Sequence, residues 1–233
     1  MILKILIADD DKTLCELLSE YLAQEGFVVE SVFNGQEAVI QARFEQYDLL
    51  ILDVMMPEKS GFDVLSEIRQ FTQLPVIMLT AKGEKLDRII GLEMGADDYI
   101  AKPCDPRELV ARIRAIFRRV KKLSTIESIP SKITVGDIKL DTANREVELG
   151  GELLDLTSTE FDLLKLLVSN AGALVSRERI SEECLGKKLQ PFDRSIDMHL
   201  SNVRKKLGCY NDNKERIKTV RGSGYQYLVW NDA

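Results

Sequence analysis

Two common devices for anchoring or stapling a chain are missing from this sequence. Its four cysteines, Cys15, Cys104, Cys184 and Cys209, lie far apart and include no C-x-x-C pair. That spacing argues against a disulfide framework and a cysteine zinc site, and leaves them as small core or surface residues. Nowhere do apolar residues run for the ~18 positions that a membrane-crossing helix needs. The apolar opening Ile2 to Ala8 is broken by Lys4, runs into Asp9-Asp10-Asp11 and has no small-residue cleavage site, so it does not read as a signal peptide. The expectation is a cytoplasmic protein with no membrane partner. What the chain does have is apolar content, 45% of 233 residues, enough for real cores in one large domain or two ordinary ones.

The net charge of −6 is unevenly spread. Residues 1 to 120 carry 14 Lys and Arg against 21 Asp and Glu, and residues 121 to 233 carry 18 against 17. Between Lys187 and Arg221 the balance is 10 basic to 4 acidic. A basic stretch in a near-neutral half suits a polyanion-binding surface, although a basic cluster taken alone is more often solvated surface.

The first half alternates short apolar runs with helical periodicity. Lys4 to Ala8, Phe27 to Val29, Leu49 to Asp53, Val76 to Leu79 and Asp98 to Ala101 read as strands. Between and after them, Leu14, Leu17, Leu18 and Leu22 recur at helical spacing, as do Ala38, Val39 and Ala42, then Leu86, Ile89, Ile90 and Leu92, and finally Leu109, Val110, Ile113 and Ile116; a further helix covers about Phe62 to Arg69. Leu49-Leu50-Ile51-Leu52 is apolar at every position, the mark of a strand covered on both faces. Five strands alternating with five helices predict a doubly wound α/β domain with a parallel sheet.

In such a sheet, chemistry sits beyond the carboxyl ends of the strands. Standing there are Asp9 and Asp10, Asp53, Thr80 and Lys102. Three carboxylates in one crevice repel unless a cation joins them, and an open all-oxygen site favours Mg²⁺. Lys102 offers a mobile positive charge for a phosphoryl oxygen, and the Thr80 hydroxyl with the Ala81 N–H can meet another. Taken singly, Asp9 to Asp11 are a helix-capping cluster, Met55 and Met56 core filler, Tyr99 a strand aromatic and Lys102 a helix-flanking charge. Their conjunction in order on successive strand ends points instead to phosphoryl transfer onto a carboxylate.

D-D near the start, L-D-V-M-M-P, T-A and K-P resemble the receiver domain of two-component response regulators, and the whole chain resembles the OmpR/PhoB subfamily. The resemblance implies the strand order 2-1-3-4-5. It implies that Asp53 accepts a phosphoryl group from a sensor histidine kinase, while Asp10, Asp53 and the Met55 carbonyl bind Mg²⁺, with Asp9 acting through water. Lys102 would pair with the phosphoaspartate, Thr80 would swing toward the phosphate, and Tyr99 would turn inward behind it. Cys104 stands where the family usually has Phe, a departure that touches packing and not phosphate chemistry.

By the same resemblance, Arg88, Ile89, Leu92, Glu93, Asp97 and Asp98 would join Glu108, Leu109, Ala111, Arg112 and Arg114 in a two-fold dimer face. Arg88 would then pair with Glu108, Asp98 with Arg112 and Glu93 with Arg114 across the boundary. A patch of alternating sign around an apolar centre is self-complementary, as such a dimer requires.

Residues 121 to 132 mix charge, Ser and Pro without a period and read as a linker between a receiver at 1–120 and a second domain at 133–233. Short alternating runs from Ile133 to Leu154, separated by turns, predict a small antiparallel sheet. Thr157-Ser158-Thr159-Glu160 reads as a capping box and Ser176 as a second helix cap. A third helix from about Asp193 carries Ile196, Leu200, Val203 and Leu207 at core spacing. A hairpin, Ile217 to Val220 and Tyr225 to Val229, follows through Arg221-Gly222-Ser223-Gly224. Helices with a basic-tipped hairpin predict an α+β winged helix-turn-helix domain.

R-G-x-G-Y and S-I-D-M-H-L-S-N-V-R-K-K-L again resemble OmpR/PhoB effector domains, and Leu185 to His199 look most like the Cpx-type envelope-stress branch. Ser195, Met198 and Asn202 would then face bases. Arg194, His199, Ser201, Arg204 and Thr219 would sit near phosphates, with Lys205 on the same exposed helix and Arg221 on the wing. His199 is the only histidine, so nothing suggests a histidine phosphodonor within this chain. The implied protein is no enzyme beyond its own phosphoryl transfer and slow autodephosphorylation. It is a transcriptional regulator that dimerises on phosphorylation and binds double-stranded DNA at tandem or repeated half-sites, with RNA polymerase as a further partner. Two rival readings are a Mg²⁺-dependent aspartyl-phosphate phosphohydrolase and a DNA-binding protein indifferent to phosphorylation. The first lacks an acid two residues beyond Asp53, where Met55 stands.

Overall fold

The computed structural model describes residues 2–81, 85–121, 132–190, 193–210 and 213–229; of residues 81, 85–88 and 118–121 it describes the backbone alone. Two compact units, Met1–Arg114 and Ala115–Ala233, account for the chain.

In the first unit, β1 (Lys4–Ala8), β2 (Val28–Val32), β3 (Leu49–Asp53), β4 (Val76–Ala81) and β5 (Asp98–Lys102) form one sheet in the order β2-β1-β3-β4-β5. Every pairing in it is parallel. The crossovers are α1 (Lys12–Gln24), α2 (Gly35–Phe44), α3 (Gly61–Ile68) and α4 (Lys85–Glu93), and α5 (Pro106–Lys121) follows β5. All five residues of β3 are buried, as its unbroken apolar run requires. Alternate strand residues divide between the faces: Leu6, Leu50, Leu52, Val76 and Met78 join Ala38, Val39, Val64, Leu65 and Ile68 in one core, while Ile5, Ile7, Ile51, Ile77 and Leu79 are buried by pleat alternation on the other side.

The caps separate structural acids from chemical ones. Asp11 alone caps α1, accepting from the Leu14 N–H at 3.0 Å. Ser60 and Asp63 form a capping box at α3. Asp9 and Asp10 are therefore left at the end of β1 for other work.

The second unit holds a four-stranded antiparallel sheet of β6 (Lys132–Val135), β7 (Ile138–Asp141), β8 (Glu146–Leu149) and β9 (Glu152–Leu153). Three helices follow, α6 (Ser158–Ser169), α7 (Arg177–Cys184) and α8 (Ser195–Leu207). The hairpin is β11 (Ile217–Val220) and β12 (Gly224–Tyr227). Thr157 and Glu160 make the anticipated capping box of α6. The sequence reading missed β10 (Leu174–Ser176), which pairs with β12 and completes a three-stranded sheet ordered β10-β12-β11. Gly224 permits that pairing, because a Cβ there would lie 2.0 Å from the Val175 carbonyl oxygen. One core gathers Phe161, Leu164, Leu167, Ile180, Ile196, Leu200, Val203, Tyr225 and Tyr227. The predicted linker falls almost wholly at residues 122–131, outside the described residues. Among the described residues no helix is long and apolar enough to cross a membrane.

Candidate functional site

The strand ends bring four predicted residues to one pocket. Asp53 closes β3, Asp9 follows β1, and both side chains are buried, while Asp10 beside them is exposed. One carboxylate oxygen from each of the three lies within 4.8 Å of the others. Lys102, at the end of β5, places its ammonium 2.7 Å from Asp9 Oδ2 and 2.7 Å from Asp53 Oδ1. Asp53 Oδ2 accepts the Met55 N–H at 2.9 Å, and Asp9 Oδ1 accepts the Asp11 N–H at 3.0 Å. The Thr80 hydroxyl is buried and has no hydrogen-bond partner among the described residues. Met55 is 67% exposed at the rim, offering a backbone and no titratable group. The Tyr99 ring is already packed in the core beside Met78 and Val76.

Burial raises the Asp9 carboxyl, and the nearby Asp53 charge adds to that, against the opposing hydrogen bonds from Lys102 and the Asp11 N–H. For Lys102 burial acts downward, but its hydrogen bonds to Asp53 and Asp9 outweigh it and the ammonium is held above its ordinary range. A lysine so placed stays cationic and is already shared between two oxygens. Gly61, first residue of α3, lies over the Asp53 backbone: a Cβ there would be 2.1 Å from the Asp53 carbonyl oxygen.

The expected dimer face is only partly a surface. Glu93, Glu108, Ala111 and Arg114 are exposed and Ile89 is half-buried. Leu92 and Leu109, expected at its apolar centre, are core residues instead, because each points from its helix toward the sheet. Asp97 is a second correction. It is 2% exposed, accepting the Val76 N–H at 3.0 Å and pairing with Arg69 at 3.5 Å, so its acid ties β4 to β5. Arg112 pairs with Asp98 and Glu108 of its own chain, and Arg114 with Glu25 at 2.6 Å. The Arg88 side chain lies outside the described residues.

On α8 the apolar stripe Ile196, Leu200, Val203 and Leu207 is buried as anticipated. The buried arc is wider than that stripe. His199, expected near phosphates, is 1% exposed, and Asn202, expected to face bases, is 6% exposed. Ser195, also assigned to bases, is buried; its hydroxyl donates to Asp193 Oδ1 at 2.6 Å and accepts from Lys187 at 3.3 Å. The physical reason is that α8 packs on both α6 and α7, so one flank beyond the apolar stripe is covered as well. Lys206 extends that seam, reaching Glu160 of the α6 cap at 2.6 Å. What remains toward solvent is the half-buried Asp197, Met198, Ser201 and Arg204 and the exposed Lys205 and Lys206, with Arg194 exposed just before the helix and Thr219 and Arg221 exposed on the hairpin. Arg204 also serves the hairpin, donating to the Ile217 carbonyl and to Thr219 Oγ1 at 2.8 Å.

Sequence reasoning did not find Arg177, Asp197 or the role of Tyr225, which meet between α7, α8 and β12. Tyr225 closes the R-G-x-G-Y motif; nothing local to Arg177 marks it.

Comparison with known proteins agrees with both halves. Residues 5–114 match the family described as response regulator receiver domain, and residues 151–227 the family described as transcriptional regulatory protein, C terminal. The chain is 51% identical to the transcriptional regulatory protein CpxR of Klebsiella pneumoniae over 225 residues, covering 95% of this chain and 97% of that one. Among solved structures, a RitR mutant superposes with a TM-score of 0.77 at 27% identity, covering 97% of this chain and 98% of the other. DrrB of Thermotoga maritima, described as an OmpR/PhoB homolog, gives 0.52 at 31% identity, covering 98% of this chain and 100% of its own. Identity of this order along nearly the whole of both chains admits one conclusion: the protein belongs to the two-component response regulators of the OmpR/PhoB type, DNA-binding regulators of transcription.

Proposed function

We propose that Asp53 receives a phosphoryl group from a sensor histidine kinase, and that phosphorylation favours a homodimer whose α8 helices read tandem or repeated half-sites on double-stranded DNA. The observation that carries this reading is the Lys102 ammonium shared between Asp9 and Asp53, with the buried Thr80 hydroxyl on the intervening strand having no hydrogen-bond partner among the described residues. These are a cation and a donor waiting for an anion. In the transfer the P–N bond of a phosphohistidine breaks and a P–O bond to the Asp53 carboxylate forms, the imidazole leaving with the electron pair and taking a proton from solvent. Lys102 exchanges Asp53 for a phosphoryl oxygen. Thr80 donates to a second oxygen, joined by the Ala81 N–H, and Tyr99 keeps its inward place behind them.

The donor set fits Mg²⁺: the clustered oxygens of Asp9, Asp10 and Asp53 are hard ligands and leave room for water. Asp10, Asp53 and the Met55 carbonyl would hold the ion, with Asp9 acting through water. When bound, it offsets the charge that three carboxylates and an incoming phosphoryl group place against the one ammonium of Lys102.

The dimer face of this reading keeps Arg88, Ile89, Glu93, Asp98, Glu108, Ala111, Arg112 and Arg114, with Arg112 and Arg114 exchanging their in-chain partners for those of a second copy. Met198 faces bases, Arg194, Ser201, Arg204, Lys205 and Thr219 face phosphates, and Arg221 reaches the DNA from the wing. A receiver at 1–120, a tether at 121–132 and an effector at 133–233, working in the cytoplasm with RNA polymerase as a further partner, complete the proposal. The test is labelling with a small phosphodonor in Mg²⁺. Wild type should take up phosphate to about one per chain, and Asp53→Asn none. Undiminished labelling of the variant refutes the assignment, and rapid multiple turnover by wild type favours a phosphohydrolase.

A further inference from the structure

Arg177 opens α7 and lies far from the face of α8 that carries Met198 and Lys205 in sequence, yet it grips that helix. Its Nη1 donates to Asp197 Oδ1 at 3.0 Å and its Nη2 to Oδ2 at 2.7 Å, a fork-to-fork pair. Nη1 also donates to the Tyr225 hydroxyl, which in turn donates to Asp197 Oδ1. The Tyr225 ring has two guanidinium groups in cation–π range, Arg177 at 5.6 Å and Arg204 at 5.9 Å. One helical face of α8 is thus tied to the hairpin twice, through Asp197 to β12 and through Arg204 to β11.

We propose that Arg177 is a positioning residue for DNA sequence recognition: by clamping Asp197 and Tyr225 together it fixes the angle between α8 and the hairpin. This rests on the DNA-binding reading above. Apolar burial is non-directional, so the core under Ile196 and Leu200 permits small rotations of α8 against the hairpin. A forked ion pair and a phenol hydrogen bond are directional and remove that freedom. Reading surfaces must be held to within about 0.5 Å and 10–20° to act together, and here the helix and the hairpin tip must do so on one duplex. Asp197 is then a latch and not a base reader, and its negative charge, on a face that approaches phosphates, is cancelled by Arg177.

The two roles of Arg177, cancelling charge and setting the angle, separate experimentally. The full chain is used as wild type, Arg177→Met, the double variant Arg177→Met with Asp197→Asn, and Tyr225→Phe. Each is titrated against the duplex that wild type selects from a random pool and against a scrambled duplex of the same length and composition. A wild type that selects no sequence counts against the DNA-binding reading itself. Arg177→Met should weaken binding to both duplexes, because Asp197 is left bare, and should lower the selected-to-scrambled ratio by at least about fivefold, the smallest cost of one mismatched base pair. The double variant should recover scrambled-duplex affinity while its ratio stays low. Tyr225→Phe keeps the ring and removes only the hydroxyl, so its ratio should fall even if Arg177→Met folds poorly. An unchanged ratio in Tyr225→Phe, or a ratio restored to wild type in the double variant, overturns the proposal. The second result would leave Arg177 as a charge mask alone.

Discussion

Gly61→Ala is the sharpest test of how Asp53, the proposed phosphoacceptor, is held. An alanine Cβ would stand 2.1 Å from the Asp53 carbonyl oxygen, 2.9 Å from its carbonyl carbon and 3.0 Å from the Val54 Cα. An ordinary carbon–oxygen contact is about 3.3 Å, so α3 and the end of β3 must separate by roughly an ångström. Nothing flexible can yield, since all three atoms are backbone. Overpacking of this kind costs about 1–3 kcal/mol, and alanine returns only about 0.4–1 kcal/mol by stiffening the unfolded chain. A net loss of about 1–2 kcal/mol should lower the midpoint of receiver unfolding by roughly 4–8 °C. The larger effect should be chemical. A displacement near 1 Å at a reacting group can cost about a hundredfold, so the single-turnover rate of phosphate uptake from a small donor should fall by one to two orders of magnitude. Gly26→Ala is the control: Gly26 has φ +91° with nothing within 4 Å of a built Cβ. It should lose stability through backbone strain and label at the wild-type rate. If Gly61→Ala loses stability but labels like Gly26→Ala, the Asp53 position does not depend on that contact; if it does neither, the close approach itself is wrong.

Two further expectations concern the second unit. Asp193 is held below its ordinary value of 3.8 by Ser195 and Lys187, which overcome the opposing effect of burial. A depressed carboxyl contributes stability that is full above its unfolded value and lost progressively as pH falls toward its folded value, so the urea midpoint of the second unit should begin to drop below about pH 4 and go on falling with further acidification, and Asp193→Asn should flatten that drop while lowering stability at pH 7. Asn202→Ala and Lys205→Ala should differ in kind. The buried Asn202 should cost about 1–3 kcal/mol of thermal stability by stranding its partners, whereas the exposed Lys205 should leave stability alone and reduce the salt slope of DNA binding by about one unit.

Most of the first unit could be read in advance because a strand covered on both faces writes itself as an uninterrupted apolar run. Leu49 to Leu52 did so, and the acids after β1 and β3 and the lysine closing β5 came together in one cluster. The capping role of Asp11 could not be separated from Asp9 and Asp10 by composition, since all three are aspartates and only the backbone decides which accepts the Leu14 N–H. β10 escaped because three residues are too short for alternation to show, and Ser176 at its end announced the next helix more loudly. On α8 the spacing of Ile196, Leu200, Val203 and Leu207 located the core but understated the buried arc, as polar residues such as His199 and Ser195 carry no apolar signal. Asp97 is the converse case: by sequence it is an acid among exposed charges, yet its carboxylate closes a backbone donor of β4. Arg177, Asp197 and Tyr225 are separated by 20 and 28 residues, and no local pattern links them.

Polar ties of the two units differ in what phosphorylation can reach. In the receiver, the proposed acyl phosphate at Asp53 would require the contact of Lys102 with Asp53 to break, so that tie would belong to a two-state element. In the second unit, the ties that set α8 against the hairpin run from Arg177 to Asp197, from Asp197 to Tyr225 and from Arg204 to Thr219, all among residues of that unit. Its core is likewise drawn, among the described residues, from that unit's own side chains. A ligand shifts an equilibrium only through states that differ in their interaction with it, and nothing in this set of contacts includes the phosphate. On the proposed reading, phosphorylation would act on how many copies engage neighbouring half-sites, where linked binding raises the effective concentration of the second copy, and not on which bases a single α8 prefers. The sequence selected from a random pool should accordingly contain the same half-site with and without phosphate at Asp53, while the spacing between half-sites sharpens only when phosphate is present. A half-site that changes its bases on phosphorylation would show that the helix–hairpin geometry is not fixed within the second unit.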